Sequence, residues 1–356
     1  MIIFKHADER PMSGPLEDLV AMRSLDKSSM LEQIIGLPDQ LKAALQWDVN
    51  IRGHPDGIAI VGMGGSAVGG DVLADYASSI SDTPISVVRG VELPRWVGER
   101  TLVMMVSYSG NTWEVMDLYK KAKERGCSMV AIASGGELAL TAEVEKVPLI
   151  KVPPGLQPRA ALGYILGAEA VAIEASGVAP VKKDLAIAQL AMADLRENLS
   201  PGVPTDANMA KKTALRLKGK VPVIYAPRTF RTVAYRWQTQ VNENAKMMAF
   251  SGEFPEINHN QIVGWVEGRP GPEMLPVFLK PVSSKGSLGE KMQVAIQLMR
   301  EANLQPLAIE LSGRTPIESS LMGIMLGDFV SYYLAILKGV DPTPVISIGE
   351  LKKRMR

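Results

Sequence analysis

Apolar residues in this chain gather into short continuous runs separated by helical stripes. Gly57-Ile58-Ala59-Ile60-Val61 and Thr101-Leu102-Val103-Met104-Met105-Val106 carry no polar alternation, the pattern of strands buried on both faces. Residues 85–88, 129–133 and 149–151 read as further strands. Helical patterns begin at Ser66 and cover 112–125. Strands separated by helices imply βαβ crossovers and a parallel sheet. Upstream, residues 1–50 read as helical: Leu31, Ile34, Ile35, Leu41, Leu45 and Trp47 form a stripe that Pro38 interrupts. Pro153-Pro154-Gly155 closes the first unit, and helices are expected at 162–175 and 182–199.

Ser200-Pro201-Gly202-Val203-Pro204 then breaks the pattern, and a domain junction is expected near it. Alternation restarts with a strand at 222–226, a helix at 229–246 and a strand at 274–279. A helix at 289–302, a strand at 307–311 and a long helix at 317–337 follow. The expected division is a helical segment 1–50, a first α/β domain 51–200 and a second 201–356.

Composition narrows the function classes. The 356 residues are 46% hydrophobic and 22% charged, as a folded globular chain should be. A net charge of +1 gives no electrostatic footprint for nucleic acid or an anionic membrane. No uninterrupted apolar run reaches the ~20 residues that span a bilayer. Met1 to Arg10 lacks the apolar core of a secretory signal. Cys127 is the only cysteine, and His6, His54 and His259 are far apart, so neither a disulfide nor a Cys- or His-based metal site is expected. These features predict a cytoplasmic, metal-independent protein.

Two loops carry the chemistry. Gly62-Met63-Gly64-Gly65-Ser66 follows the first long strand, and Ser107-Tyr108-Ser109-Gly110-Asn111-Thr112 follows the second. Both face the carboxyl edge of a parallel sheet, where open α/β sheets bind ligands. Backbone N–H groups at helix starts and neutral hydroxyls suit a phosphate. The first loop also fits the dinucleotide fingerprint G-x-G-x-x-G/A, but the next strand ends Val88-Arg89-Gly90 without the acid that binds ribose. A nicotinamide enzyme, with Arg89 on a 2′-phosphate, therefore stays open on this loop alone. Gly69-Gly70 inside the following helix costs about 1 kcal/mol per glycine relative to alanine, so something is expected to approach that backbone closely. One helix cap accounts for one hydroxyl of the second loop, not four polar residues.

The second loop resembles the phosphate loop of sugar isomerase (SIS) domains. The likeness extends to Gln157-Pro158-Arg159-Ala160, Gln240-Val241-Asn242-Glu243-Asn244-Ala245-Lys246 and Glu256-Ile257-Asn258-His259-Asn260. Together these resemble the bifunctional phosphoglucose/phosphomannose isomerases over about residues 50–356. The resemblance implies an α/β fold of two SIS-type domains, flavodoxin-like and three-layered, with mainly parallel sheets. It implies a homodimeric aldose–ketose isomerase acting on sugar 6-phosphates.

By the resemblance, Gly64, Gly65, Ser66, Ser107, Ser109 and Thr112 bind the phosphate. Glu243 is the base, Arg159 steadies an enediolate, and His259 opens the sugar ring from a neighbouring subunit. A C-terminal lysine assists; Lys352, directly after Glu350-Leu351, is preferred to Lys353. Thr343 is the candidate small hydroxyl that lets both C2 epimers in. Such chemistry needs a carboxylate and a positive group for the developing oxyanion. Read alone, Glu243 fits a solvated helix acid, Arg159 an interdomain ion pair, and Lys352 a basic helix end. A sugar-phosphate sensor would keep the loops without needing Glu243, His259 and Arg159.

Overall fold

The computed structural model describes residues 14–281 and 287–354; Met1–Arg10 and His6 lie outside the described residues. Three short helices come first, α1 (Leu19–Leu25), α2 (Met30–Ile35) and α3 (Leu37–Ala44). Pro38 stands in the first turn of α3, where its missing N–H and fixed φ cost nothing. The stripe is interrupted at Gly36, between α2 and α3, and Pro38 starts the second of these helices.

The first sheet is built from β1 (Gly57–Gly62), β2 (Ile85–Val88), β3 (Thr101–Val106), β4 (Ser128–Ala133) and β5 (Leu149–Lys151). Helices α4 (Gly65–Ala77), α5 (Trp113–Glu124) and α6 (Gly136–Glu145) lie between them in sequence. All pairings are parallel, in the order β2-β1-β3-β4-β5. Chain direction across the sheet reverses between β1 and β3, which makes their carboxyl ends the switch-point crevice. Both hydroxyl-rich loops leave the sheet there.

Side-chain alternation along the strands explains the layers. Ile58, Ile60, Leu102 and Met104 join one apolar core. Ala59, Val61, Val103 and Met105 face the opposite way and join another, with Val115 and Leu118 of α5 and Leu138 of α6. Each large apolar side chain so buried contributes about 1.5–3 kcal/mol.

A short turn Pro158–Ala160 leads into α7 (Leu162–Ala175), α8 (Lys182–Leu199) and α9 (Met209–Leu217). The second sheet has β6 (Val221–Pro227), β7 (Phe250–Phe254), β8 (Met274–Pro281) and β9 (Leu307–Leu311), all parallel, in the order β7-β6-β8-β9. Helices α10 (Arg231–Ala245), α11 (Gln261–Val266), α12 (Ser287–Glu301), α13 (Pro316–Lys338) and α14 (Ile346–Arg354) complete the described residues. Order and direction repeat those of the first sheet with one strand fewer.

One core cluster joins the inner faces of both sheets. Ile58 and Leu102 share it with Ile224 and Val277 through α4, α7, α10 and α13. Helix α13 is long and apolar enough to cross a membrane, yet 89% of its most apolar window is buried. It is apolar all round because other helices surround it, the signature of a core helix. Gly69 and Gly70, inside α4, are packing devices. A Cβ at Gly69 would stand 2.3 Å from a Glu169 carboxylate oxygen of α7, and one at Gly70 2.8 Å from the Ile60 side chain. Close approach was legible in the sequence; what approaches is the protein itself.

Candidate active site

The two loops are tied together. The Tyr108 N–H donates to Ser66 Oγ at 3.2 Å, and the Ser107 and Thr112 hydroxyls are 2.9 Å apart. Ser66 and Ser107 are buried, and Ser109 is exposed. The Ser109 hydroxyl accepts from the Asn111 N–H at 3.3 Å. The loop is braced from β4: Ser134 Oγ donates to the Tyr108 carbonyl at 2.6 Å, and Asn111 Oδ1 accepts from the Glu137 N–H at 3.1 Å. Thr112 stands at the N-cap of α5 without capping it through its side chain, so its hydroxyl stays with Ser107.

The same loops reach Arg159. The Tyr108 hydroxyl donates to the Pro153 carbonyl and accepts from the Leu156 N–H, both at 2.9 Å. At Gly65 the contact is direct: a Cβ there would lie 2.8 Å from Arg159 Cα and 2.9 Å from its nitrogen. Only glycine lets α4 begin against this turn. The N-terminal helices hold the turn from the other side. Gln33 Oε1 accepts from the Gln157 N–H at 2.9 Å, and Gln40 Nε2 donates to the Ala160 carbonyl at 2.9 Å. The packing role of this N-terminal segment therefore includes the site.

The Arg159 side chain is 3% exposed and crosses to the second half of the chain. Its Nε donates to Asn244 Oδ1 at 2.8 Å, and Nη2 donates to the Pro342 and Thr343 carbonyls at 3.0 and 2.9 Å. Nη1 is left to face the Glu243 carboxylate at 3.5 Å. Burial pushes this guanidinium down from its usual value; Glu243 opposes the shift, Arg236 adds to it and Asp328 opposes it. It remains charged across the physiological range. Glu243, in the last turn of α10, keeps a side chain 27% exposed and so reaches both the arginine and solvent.

Sequence reasoning missed Lys246. It caps α10 in a left-handed conformation at φ 52°, and its Nζ donates to the carbonyls of Glu243 at 2.7 Å and Pro342 at 2.9 Å. Burial, with Arg159 adding to the effect, pushes its ammonium down to about 8. Its place in Asn244-Ala245-Lys246 was visible, but its fold-back onto the chain near Pro342 was not.

Of the other expected residues, Thr343 touches this constellation through its main chain, and the rest sit apart from it. Thr343 lends its carbonyl to Arg159 while its own hydroxyl is buried without a hydrogen-bond partner among the described residues. His259 is exposed at the end of a short turn and makes no hydrogen bond to Arg159 or Glu243. Lys352 is exposed on α14, a helix with no buried residue. Arg89 is engaged by Asp71 in a two-point ion pair and stacks over Tyr235 at 5.8 Å. Among the described residues no group of three or more His, Cys, Asp or Glu could hold a metal ion.

Comparison with known proteins agrees in extent with this geometry. The profile described as SIS domain matches residues 54–151, and that described as bacterial phospho-glucose isomerase C-terminal SIS domain matches residues 206–355. A bifunctional phosphoglucose/phosphomannose isomerase of Caldicellulosiruptor bescii is 35% identical over 337 residues, covering 92% of this chain and 98% of that protein. Its counterpart in Aquifex aeolicus is 32% identical over 305 residues, covering 84% and 90%. The crystal structure of a glucose-6-phosphate isomerase like protein from Thermus thermophilus superposes with a TM-score of 0.64 at 21% identity, covering 95% of this chain and 98% of that one. Similarity at this level over nearly the whole of both chains identifies a common family: the chain belongs to the bifunctional phosphoglucose/phosphomannose isomerases.

Proposed function

We propose that this protein interconverts glucose 6-phosphate and mannose 6-phosphate with fructose 6-phosphate. The observation that carries the reading is the meeting of Arg159 and Glu243, from opposite halves of the chain, beside the hydroxyl-rich loops. Three of the four polar contacts of Arg159 go to fixed protein acceptors, which leaves Nη1 for a ligand. The relatives' printed names supply the substrates.

Ser66, Ser107, Ser109 and Thr112, with the backbone at Gly64 and Gly65, bind the phosphate. Glu243 removes the proton from C2 of the open-chain aldose, electrons shift toward the C1 carbonyl, and an enediolate forms. Arg159 Nη1 stabilises its negative oxygen. Glu243 then returns the proton to C1 while the O2 hydroxyl proton passes to O1, which leaves the carbonyl at C2. Because C1–C2 rotation presents either C2 hydrogen to one base, both epimers react. In this reading His259 opens the ring from the second copy of a homodimer, Lys352 assists, and Thr343 relaxes specificity at C2. Neither a metal nor a redox cofactor is required.

Glu243→Gln tests the base. General-base loss predicts a fall in kcat of about 10²–10⁴-fold with the fold intact. Near-normal turnover by the folded variant would refute the assignment.

A further inference from the structure

Outside the groups assigned to substrate, a closed ring of buried hydrogen bonds encircles Arg159. Arg236 of α10 and Asp328 of α13 form a two-point ion pair, Nε to Oδ1 at 3.0 Å and Nη2 to Oδ2 at 2.8 Å. Their side chains are 1% and 3% exposed. Arg236 Nη2 also donates to the Arg159 carbonyl at 2.7 Å. From Asp328 the ring continues through its own carbonyl, which accepts from Ser331 Oγ at 2.7 Å. Ser331 Oγ in turn accepts from Asn244 Nδ2 at 2.9 Å, and Asn244 Oδ1 accepts from Arg159 Nε. Arg159 is thus held by its main chain and its side chain through one circuit.

A buried ion pair is weak evidence for stability, because desolvating two charges offsets their attraction. This pair has a geometric use instead. The Arg159 carbonyl belongs to the turn that Gly65 abuts, so fixing it sets the distance between the phosphate loop and the guanidinium. The Asn244 end of the circuit aims the guanidinium: with Nε and Nη2 both tied, Nη1 has one direction left, toward Glu243. The planar fork of an arginine at position 236 serves carboxylate and carbonyl at once, which a lysine ammonium on a flexible stem cannot reproduce.

We infer that Arg236, together with Asp328 and Ser331, is a positioning set that holds Arg159 in register with Glu243 and the phosphate loop, touching no substrate atom. The inference rests on the role proposed for Arg159. The test measures kcat and KM for fructose 6-phosphate in Arg236→Lys, Ser331→Ala and Arg159→Met. Misplacing a catalytic group by about 1 Å can cost ~100-fold in rate. Arg236→Lys and Ser331→Ala should therefore lower kcat roughly 10- to 100-fold while KM stays within about twofold, since the phosphate loop is untouched. A merely structural role would lower stability without splitting kcat from KM. Ser331→Ala leaves no buried charge unpaired and decides the matter if Arg236→Lys does not fold. The inference is overturned if Arg159→Met is inactive while folded Ser331→Ala keeps wild-type kcat. Should Arg159→Met itself keep wild-type kcat, the reading of Arg159 falls and takes the inference with it.

Discussion

Gly65→Ala isolates the contact between the proposed phosphate loop and Arg159. The added Cβ would stand 2.8 Å from Arg159 Cα, 2.9 Å from its nitrogen and 3.0 Å from the Pro158 carbonyl carbon. These are backbone atoms, and the turn carrying them is pinned by Gln33, Gln40 and Arg236. Comfortable carbon contacts begin near 3.5 Å, so loop and turn must part by roughly 0.7 Å. Overpacking of this kind costs about 1–3 kcal/mol. The helix-propensity gain of alanine over glycine is at most about 1 kcal/mol and does not reverse the sign. In rate, a displacement approaching 1 Å between the proposed phosphate site and the proposed catalytic groups predicts a loss of about 10- to 100-fold in kcat/KM. The assay couples fructose 6-phosphate formation to a dehydrogenase, beside urea denaturation of the same sample. A folded Gly65→Ala protein with wild-type kcat/KM would refute the claim that this contact sets the register of the site.

Three further outcomes are expected. Glu169 is fully buried, neither of its oxygens makes a well-formed hydrogen bond among the described residues, and burial, reinforced by Asp71 and opposed by Arg89 and the Gly70 backbone, pushes its carboxyl well above the usual range. The native state then binds more protons than the unfolded chain, so stability falls as pH rises above the ordinary carboxylate value. Glu169→Gln should be more stable than wild type in urea at neutral pH, with the advantage vanishing in acid; a pH-independent difference would contradict this. Lys246 is shifted the other way, to about 8. The unfolded chain binds the extra proton between that value and about 10.4, so wild-type stability should rise with pH in this window, and Lys246→Met should flatten the rise. Mixing inactive Glu243→Gln and His259→Ala proteins should restore turnover through hybrid dimers if His259 serves the partner's site; no recovery despite subunit exchange would place its role elsewhere.

Much of this architecture could be read from the chain, and the exceptions have physical causes. Continuous apolar runs disclosed β1 and β3, whose strands are buried on both faces, and the polar residues after them disclosed the switch-point loops. Strand β7 escaped notice: Phe250-Ser251-Gly252-Glu253-Phe254 is short, half polar and at a sheet edge. Its glycine sits where a Cβ would meet the Tyr225 ring at 2.7 Å. Helices α6, α9 and α14 were also not placed; α9 lies just past the Pro-rich break and carries Lys211, Lys212 and Arg216 in one short segment. Arg159 and Glu243 were legible as candidates because each lies in a distinctive segment. The ring that holds Arg159 was not, since Arg236 and Asp328 are 92 residues apart and nothing local marks either as buried. His259 and Lys352 are exposed in one copy, and the hybrid-dimer experiment tests whether the histidine serves a second copy's site.

The central claim is tested most directly by supplying glucose 6-phosphate and mannose 6-phosphate separately to the purified protein in EDTA and following fructose 6-phosphate. The account predicts that both are converted and that Glu243→Gln abolishes both conversions. Binding of fructose 6-phosphate without turnover of either aldose would contradict it and leave a sugar-phosphate sensor.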